Sequence, residues 1–181
     1  MTIDPRSLRN ALGCFATGVA VLTTRAAGGQ HVAVTINSFS SVSLDPPLIL
    51  FTLAKRANVL AHFRSAKNFT VNILSHGQEA LSNMFARPSS ADWKAVQFIE
   101  GENGCALFAD SLAQLECVPH SEIDGGDHWV FLGTVVRLHL HSVVDPLLFY
   151  RGRYGGYSHS RLEENAVQDG TLTEFSIGGW G

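Results

Sequence analysis

Residues 112–141 constrain the fold most. Two long extended runs, 112–123 and 129–141, flank Asp124, Gly125, Gly126 and Asp127. The second run alternates apolar and polar residues for most of its length, the period of a strand with one buried face. More strands surround this pair. Residues 19–23 alternate, Gly28 and Gly29 read as a hairpin turn, and 31–37 returns with Val32, Val34 and Ile36 on one face. Residues 48–53 form a near-continuous apolar strand; Phe69, Val71 and Ile73 mark another, and 147–150 one more.

Helical signals are few and short. Asp4 and Pro5 read as an N-cap with proline at the first helical position. Leu8, Leu12 and Phe15 then recur at helical spacing, and Gly18 fits a stop. Residues 57–64 place Val59, Leu60 and Phe63 on one face, and 78–85 space Leu81, Met84 and Phe85 for packing. Residues 38–47 read as a serine-rich connection closed by Asp45, Pro46 and Pro47. Residues 86–104 are polar, with Trp93 to pin them. Residues 158–181, ending in Gly178-Gly179-Trp180-Gly181, read as a loose tail. Six or seven strands with few short helices predict a mainly β chain, a barrel or sandwich rather than a doubly wound sheet. The 181 residues fit one domain, 1–181, with its core about 8–157.

Composition narrows the function. Charged residues make up 16%, against about 25% in an average soluble protein. With 45% apolar residues this excludes disorder, and it points to surface covered by a partner subunit. The net charge of −3 provides no basic footprint for nucleic acid, and the aromatics are not interleaved with Lys or Arg for stacking. No stretch reaches the ~20 apolar residues of a membrane helix. Arg6 and Arg9 before the apolar run 11–22 mimic a signal peptide. Asp4 and Pro5 in the basic segment, with Gly13, Thr17 and Gly18 in the run, favour a helix followed by a strand. Cys14, Cys105 and Cys117 match no disulfide framework or metal spacing, and with the acidic balance they suit a reducing cytoplasm.

Common catalytic signatures are missing: no GxGxxG after a strand, no GxxxxGK[ST], no GxSxG and no HExxH. His139 and His141 share a strand face, but further ligands are not signalled, so no metal site is expected.

Four segments together resemble the flavin reductase family, the small NAD(P)H-using reductases of two-component flavin monooxygenases. They are Phe15-Ala16-Thr17-Gly18-Val19-Ala20-Val21; the serine-rich segment from Val34 to Pro47; Gly126-Asp127-His128; and Phe149-Tyr150-Arg151-Gly152-Arg153-Tyr154. The resemblance implies a six-stranded antiparallel Greek-key split barrel of the FMN-binding type, with flanking short helices, working as a homodimer with the flavin near the subunit interface. It also implies hydride transfer from NADH or NADPH to FMN or FAD, and reduced flavin passed to a separate monooxygenase. Two other classes share the barrel. A non-enzymatic flavin- or haem-binding protein has no use for a nicotinamide segment, and an oxidase of the pyridoxamine-phosphate type needs a basic cluster for its substrate.

The chemistry accepts these residues. Hydride transfer belongs to the cofactors and the protein chiefly positions them, so no acid–base dyad is required. Thr35, Asn37, Ser38, Phe39 and Ser41 offer small polar groups for the flavin edge, where the family places flavin contacts. Thr52, Leu53 and Ala54 line the flavin by the same resemblance. Lys55 lies where a strand meets the helix of 57–64, a setting that suits the phosphate tail, and by the resemblance Asn58 and Val59 approach that tail. Phe85 and Ala86 match a further flavin-side position. His128 is placed at the nicotinamide or flavin face, as the candidate catalytic residue. Arg151, Gly152, Arg153 and Tyr154 correspond to a pyridine-nucleotide segment: Arg pairs with phosphate, and Gly permits close approach. Ile36 departs from the family's run; it points away from Thr35 and Asn37 on a strand and is read as core.

Overall fold

The fold grows from local signals that the chain satisfies in order. The computed structural model describes residues 3–87, 91–141 and 145–157; the tail expected at 158–181 lies outside them. Asp4 accepts the Ser7 N–H at 2.8 Å with Pro5 behind it, and α1 spans Pro5–Leu12. The helix stops at Leu12, not at Gly18, because Gly13 caps it with its N–H on Arg9 O. No residue of α1 is buried, so Leu8 and Leu12 mark an outer face rather than core.

The strands follow: β1 (Thr17–Gly18), β2 (Ala20–Arg25), β3 (His31–Ile36), β4 (Ser40–Leu44) and β5 (Pro47–Ala54). After α2 (Leu60–Arg64) come β6 (Phe69–Ile73), α3 (Glu79–Phe85), β7 (Phe98–Glu100) and β8 (Ala106–Phe108). The chain continues as β9 (Ala113–Gly125), β10 (His128–Leu140), β11 (Leu148–Tyr150) and β12 (Arg153–Gly155). The main sheet is antiparallel throughout, in the order β3-β2-β6-β9-β10-β5-β4. Its first six strands supply the expected barrel strands. β4 extends the sheet as an edge, so the segment 38–47 is not merely a connection. β11 lies between β1 and β12 in a small second sheet, and β7, within the polar segment 86–104, pairs with β8 just after it.

The main sheet is buried on both sides. Leu22, Ile36, Phe51, Phe63, Phe69, Val71 and Phe131 form one core; Val21, Ala33, Leu74, Phe85, Phe108 and Leu147 form the other. β2 divides them, which is why five of its six residues are buried. Trp93 packs on the second core with Phe85 at 4.9 Å and Phe98 at 5.5 Å between ring centroids. Buried Asn72 ties the β7–β8 hairpin down: its amide donates to Ala106 O and its carbonyl accepts the Phe108 N–H at 3.0 Å.

Gly133 is required by packing. A Cβ there would lie 2.3 Å from Phe69 Cζ. Gly133→Ala is expected to destabilise the fold by about 1–3 kcal/mol through overpacking, read as a lower urea midpoint; an unchanged midpoint would show that the Phe69 ring gives way freely.

All three cysteines are free. Burial pushes the Cys105 thiol up to about 11 and the Cys117 thiol up to about 12, while Cys14 is exposed. A thiol-specific reagent at pH 8 is expected to label Cys14 alone in the native protein and all three cysteines in denaturant. Because the folded state holds both buried protons more tightly than the unfolded one, their contribution is complete below pH 9 and is lost as pH rises through about 11 for Cys105 and about 12 for Cys117.

His139 and His141 both reach back to β9. His139 Nε2 lies 2.8 Å from Glu116 Oε1, and His141 Nε2 lies 2.5 Å from Gln114 Oε1. Glu116 is 1% exposed and also accepts the Asn103 N–H at 2.8 Å, so this pair serves the strand contacts.

Candidate functional site

The predicted residues gather in three places. The first is a groove of about 940 Å3 between the end of α1, β1, the end of β3 and the β11–β12 turn. Arg151 and Gly152 form that turn, with φ 48° and 79°, the left-handed pair that a two-residue hairpin turn demands. Gly supplies this freely, whereas Arg151 is held: its N–H donates to Gly13 O at 3.0 Å. Its guanidinium donates to Cys14 Sγ at 3.3 Å and lies 5.4 Å from the Tyr150 ring centre. Leu12, Phe15 and Phe149 give the groove apolar walls; Asn37, Arg9, Thr17 and Arg151 give it polar groups. Neither Arg9 nor Arg151 forms an ion pair among the described residues.

The second place is where β5 runs out beside β10. His128 pairs with Ala54 across the ladder, and Lys55 N–H donates to Asp127 O at 2.9 Å. His128 Nδ1 lies 2.7 Å from Asp127 Oδ1, and this bond holds the Asp127 carboxyl below the usual range. Lys55 is not a free phosphate donor: its Nζ lies 2.7 Å from Asp124 Oδ2 and 5.5 Å from the Trp129 ring centre. The lysine also holds the Asp124 carboxyl below its ordinary value. Both partners are exposed, so the pair is weak and easily exchanged.

The third is a smaller cavity of about 200 Å3, where Asn58 and Val59 meet His31, His62, Phe85 and Trp93. Here the sequence reading needs correction. The helix after Lys55 begins only at Leu60, has five residues and lacks a side-chain cap, so no helix terminus is built at Asn58. The side chains of Leu53, Val59 and Phe85 are core, at 3%, 5% and 0% exposure. Leu53 follows Ile49 and Phe51 on the inner face of β5, whereas Thr52 and Ala54 face the other way. Ala86 is exposed at the end of α3.

Several predicted residues hold the frame. Ser38 Oγ accepts the Thr52 N–H at 3.0 Å and donates to Thr52 O at 3.1 Å, in place of ladder bonds. Phe39 packs against the first core, and Ser41 lies exposed on β4 opposite Ile49. Thr35 Oγ1 donates to Ser82 O at 2.7 Å, and Ser82 Oγ lies 2.8 Å from Tyr154 Oη. α3 thereby joins the Thr35–Asn37 stretch to the Tyr154 strand. Arg153 is exposed on β12. Sequence reasoning missed Arg9, Ser82 and Thr17. Thr17 stood in a quoted segment without a role; Arg9 and Ser82 carried no signal.

The groove's donor set suits a planar heteroaromatic ring with a phosphate. Apolar walls take the ring, the Asn37 amide a polar edge, and two guanidinium groups without an ion pair among the described residues an anion. A nicotinamide nucleotide and a flavin both satisfy that description.

Comparison with known proteins agrees. The family described as "Flavin reductase like domain" matches residues 12–158. A "Probable flavin reductase" of Rhizobium meliloti is 42% identical over 175 residues, covering 97% of this chain and 55% of that protein, so the chain spans about half the length of this relative. "FMN reductase (NADH) SmoA" of Agrobacterium fabrum is 40% identical, over 86% of this chain and 87% of that one. "Flavin-dependent monooxygenase, reductase subunit HsaB" of Rhodococcus jostii is 38% identical, over 85% and 78%. Among solved structures, the Streptomyces globisporus NADH:FAD oxidoreductase SgcE6 in complex with NAD and FAD fragments superposes with a TM-score of 0.82 at 34% identity, covering 89% of this chain and 99% of that one.

Proposed function

Because the chain belongs to the flavin reductase-like family, we propose that it is an NADH-dependent flavin reductase supplying reduced FMN or FAD to a separate flavin-dependent monooxygenase. One observation carries this reading: the family match from 12 to 158 takes in most of the groove's lining, from Leu12 at the end of α1 to the β11–β12 turn and the strand bearing Tyr154. The nicotinamide supplies a hydride and the flavin accepts it, and the protein's task is to hold the two rings in line. Arg151 and Gly152 receive the nucleotide phosphate, with the exposed Arg153 beside them. Asn37 meets a ring edge, and Thr35 and Tyr154 keep these segments in register through α3. His128, its ring fixed by Asp127, presents Nε2 to the nicotinamide or flavin face. Thr52, Ala54, Lys55, Asn58 and Ala86 complete the flavin side.

A homodimer belongs to the same reading. Val136, Leu138 and Leu140 on β10 and Leu44 on the edge strand are exposed large apolar residues, Leu140 at 76%, in a chain poor in charge. Such a surface is what a partner subunit covers. A cytoplasmic setting is supported by three free cysteines. No helix among the described residues is long and apolar enough to cross a membrane.

The test is steady-state oxidation of NADH and NADPH with added FMN or FAD. Flavin-dependent oxidation, faster with NADH, is expected; none above background from a folded protein sinks the proposal. His128→Ala is expected to raise the apparent KM for NADH or lower the hydride-transfer rate about tenfold, the size of one hydrogen bond, while flavin affinity changes little. Kinetics identical to the parent would remove His128 from the site.

A further inference from the structure

We infer that the Thr17 hydroxyl is a ligand-binding group of the groove, hydrogen-bonding the amide or imide edge of the planar ring that lies there. The inference rests on the flavin reductase reading for the identity of that ring, but its observation is independent of it. Thr17 Oγ1 is buried and has no hydrogen-bond partner among the described residues. The other buried threonines among the described residues are not left this way. The hydroxyls of Thr23, Thr24 and Thr35 donate to the carbonyls of Ala106, Asn68 and Ser82, and Thr70 Oγ1 accepts from Asn103. A buried hydroxyl left unmade is costly and calls for a partner from outside the chain.

The position of Thr17 shows where that partner lies. β1 is only two residues long, yet Thr17 is fixed opposite Phe149 in the ladder with β11. Both residues line the groove, together with Asn37 and Arg151. The residues that bear an apolar ring, an amide, a guanidinium and the buried, unsatisfied hydroxyl therefore line one space. A hydroxyl both donates and accepts, so it matches either the carboxamide of a nicotinamide or the pyrimidine edge of a flavin. These share one chemistry, and the experiment separates them.

Thr17→Val replaces the hydroxyl with a methyl group of similar shape and keeps a good strand former. Two arms are read: flavin affinity by fluorescence titration with FMN and FAD, and the KM for NADH in turnover. We expect about a tenfold loss in one arm, the size of one hydrogen bond between partners otherwise buried, with Thr17→Ser restoring it. The melting temperature stays level or rises, because an unsatisfied polar atom has been removed. The arm that moves names the ring. If both arms are unchanged while wild-type protein binds flavin and oxidises NADH, the hydroxyl is merely met by solvent and the inference falls. If Thr17→Val loses both affinities together with its melting temperature, the role is structural, and the inference falls again. Wild-type protein that folds but neither binds flavin nor oxidises NADH refutes the flavin reductase reading instead.

Discussion

Arg151→Ala raises the apparent KM for NADH by about 10- to 100-fold, the range for losing hydrogen bonds to a charged group, while kcat changes little. The expectation follows from how Arg151 is held. Among the described residues its guanidinium contacts a thiol and an aromatic ring, not a carboxylate, so its charge is open to an anion. Its backbone is anchored to Gly13 O in the left-handed region, so the side chain leaves from a fixed point. A rise in KM alone is the signature of binding lost equally from ground and transition states. Arg151→Lys should recover part of the effect, since the charge remains and the bidentate fork does not. The check is NADH saturation kinetics at fixed flavin, beside thermal melts of each variant. A KM within about twofold of the parent, well short of one hydrogen bond, would place the nucleotide phosphate elsewhere.

Phe51→Ala is expected to cost about 3–5 kcal/mol of stability, the upper range for core truncations. Phe51 is 1% exposed at the centre of an aromatic cluster. It stacks on Phe131 at 5.0 Å and 8° and meets Phe69 edge-on at 5.2 Å and Phe63 at 6.1 Å. Three neighbours lose contacts at once, and they come from β10, β6 and α2, so the space cannot close by moving one element. Urea unfolding followed by tryptophan fluorescence reads the loss. A change below about 1 kcal/mol, the size expected where a site collapses around the deletion, would show that these rings repack freely.

Much of the fold was legible because the signals are local. Asp4 starts a helix by accepting a free N–H and Pro5 by having none to satisfy, and Gly28 with Gly29 closes a hairpin. Leu53 was also legible: Ile49, Phe51 and Leu53 alternate on β5, and that period alone puts Leu53 inside. Other elements were hidden for physical reasons. β4 is rich in serine because it is an edge strand with solvent on its outer side, so no apolar alternation marks it. β7 and β8 have three residues each, too few for any period. Phe85 carried the helical spacing of a packed residue and the family position of a flavin contact; its ring packs against Phe108 and Trp93 and also borders the small cavity.

By itself the sequence determined the β-rich class, the hairpins, the low charge and the family motifs. All of these depend on residues within a few positions of one another, or on composition. Only the tertiary structure decided which motif residues share a space. Thr17 and Asn37 meet Arg151 because β1 pairs with β11 in one register and because Gly13 accepts the Arg151 N–H. Lys55 meets Asp124 because β5 and β9 flank the same strand, β10. Local preferences act over a turn of chain. Contacts between residues more than a hundred positions apart are set by strand register and core packing, and those no short motif encodes.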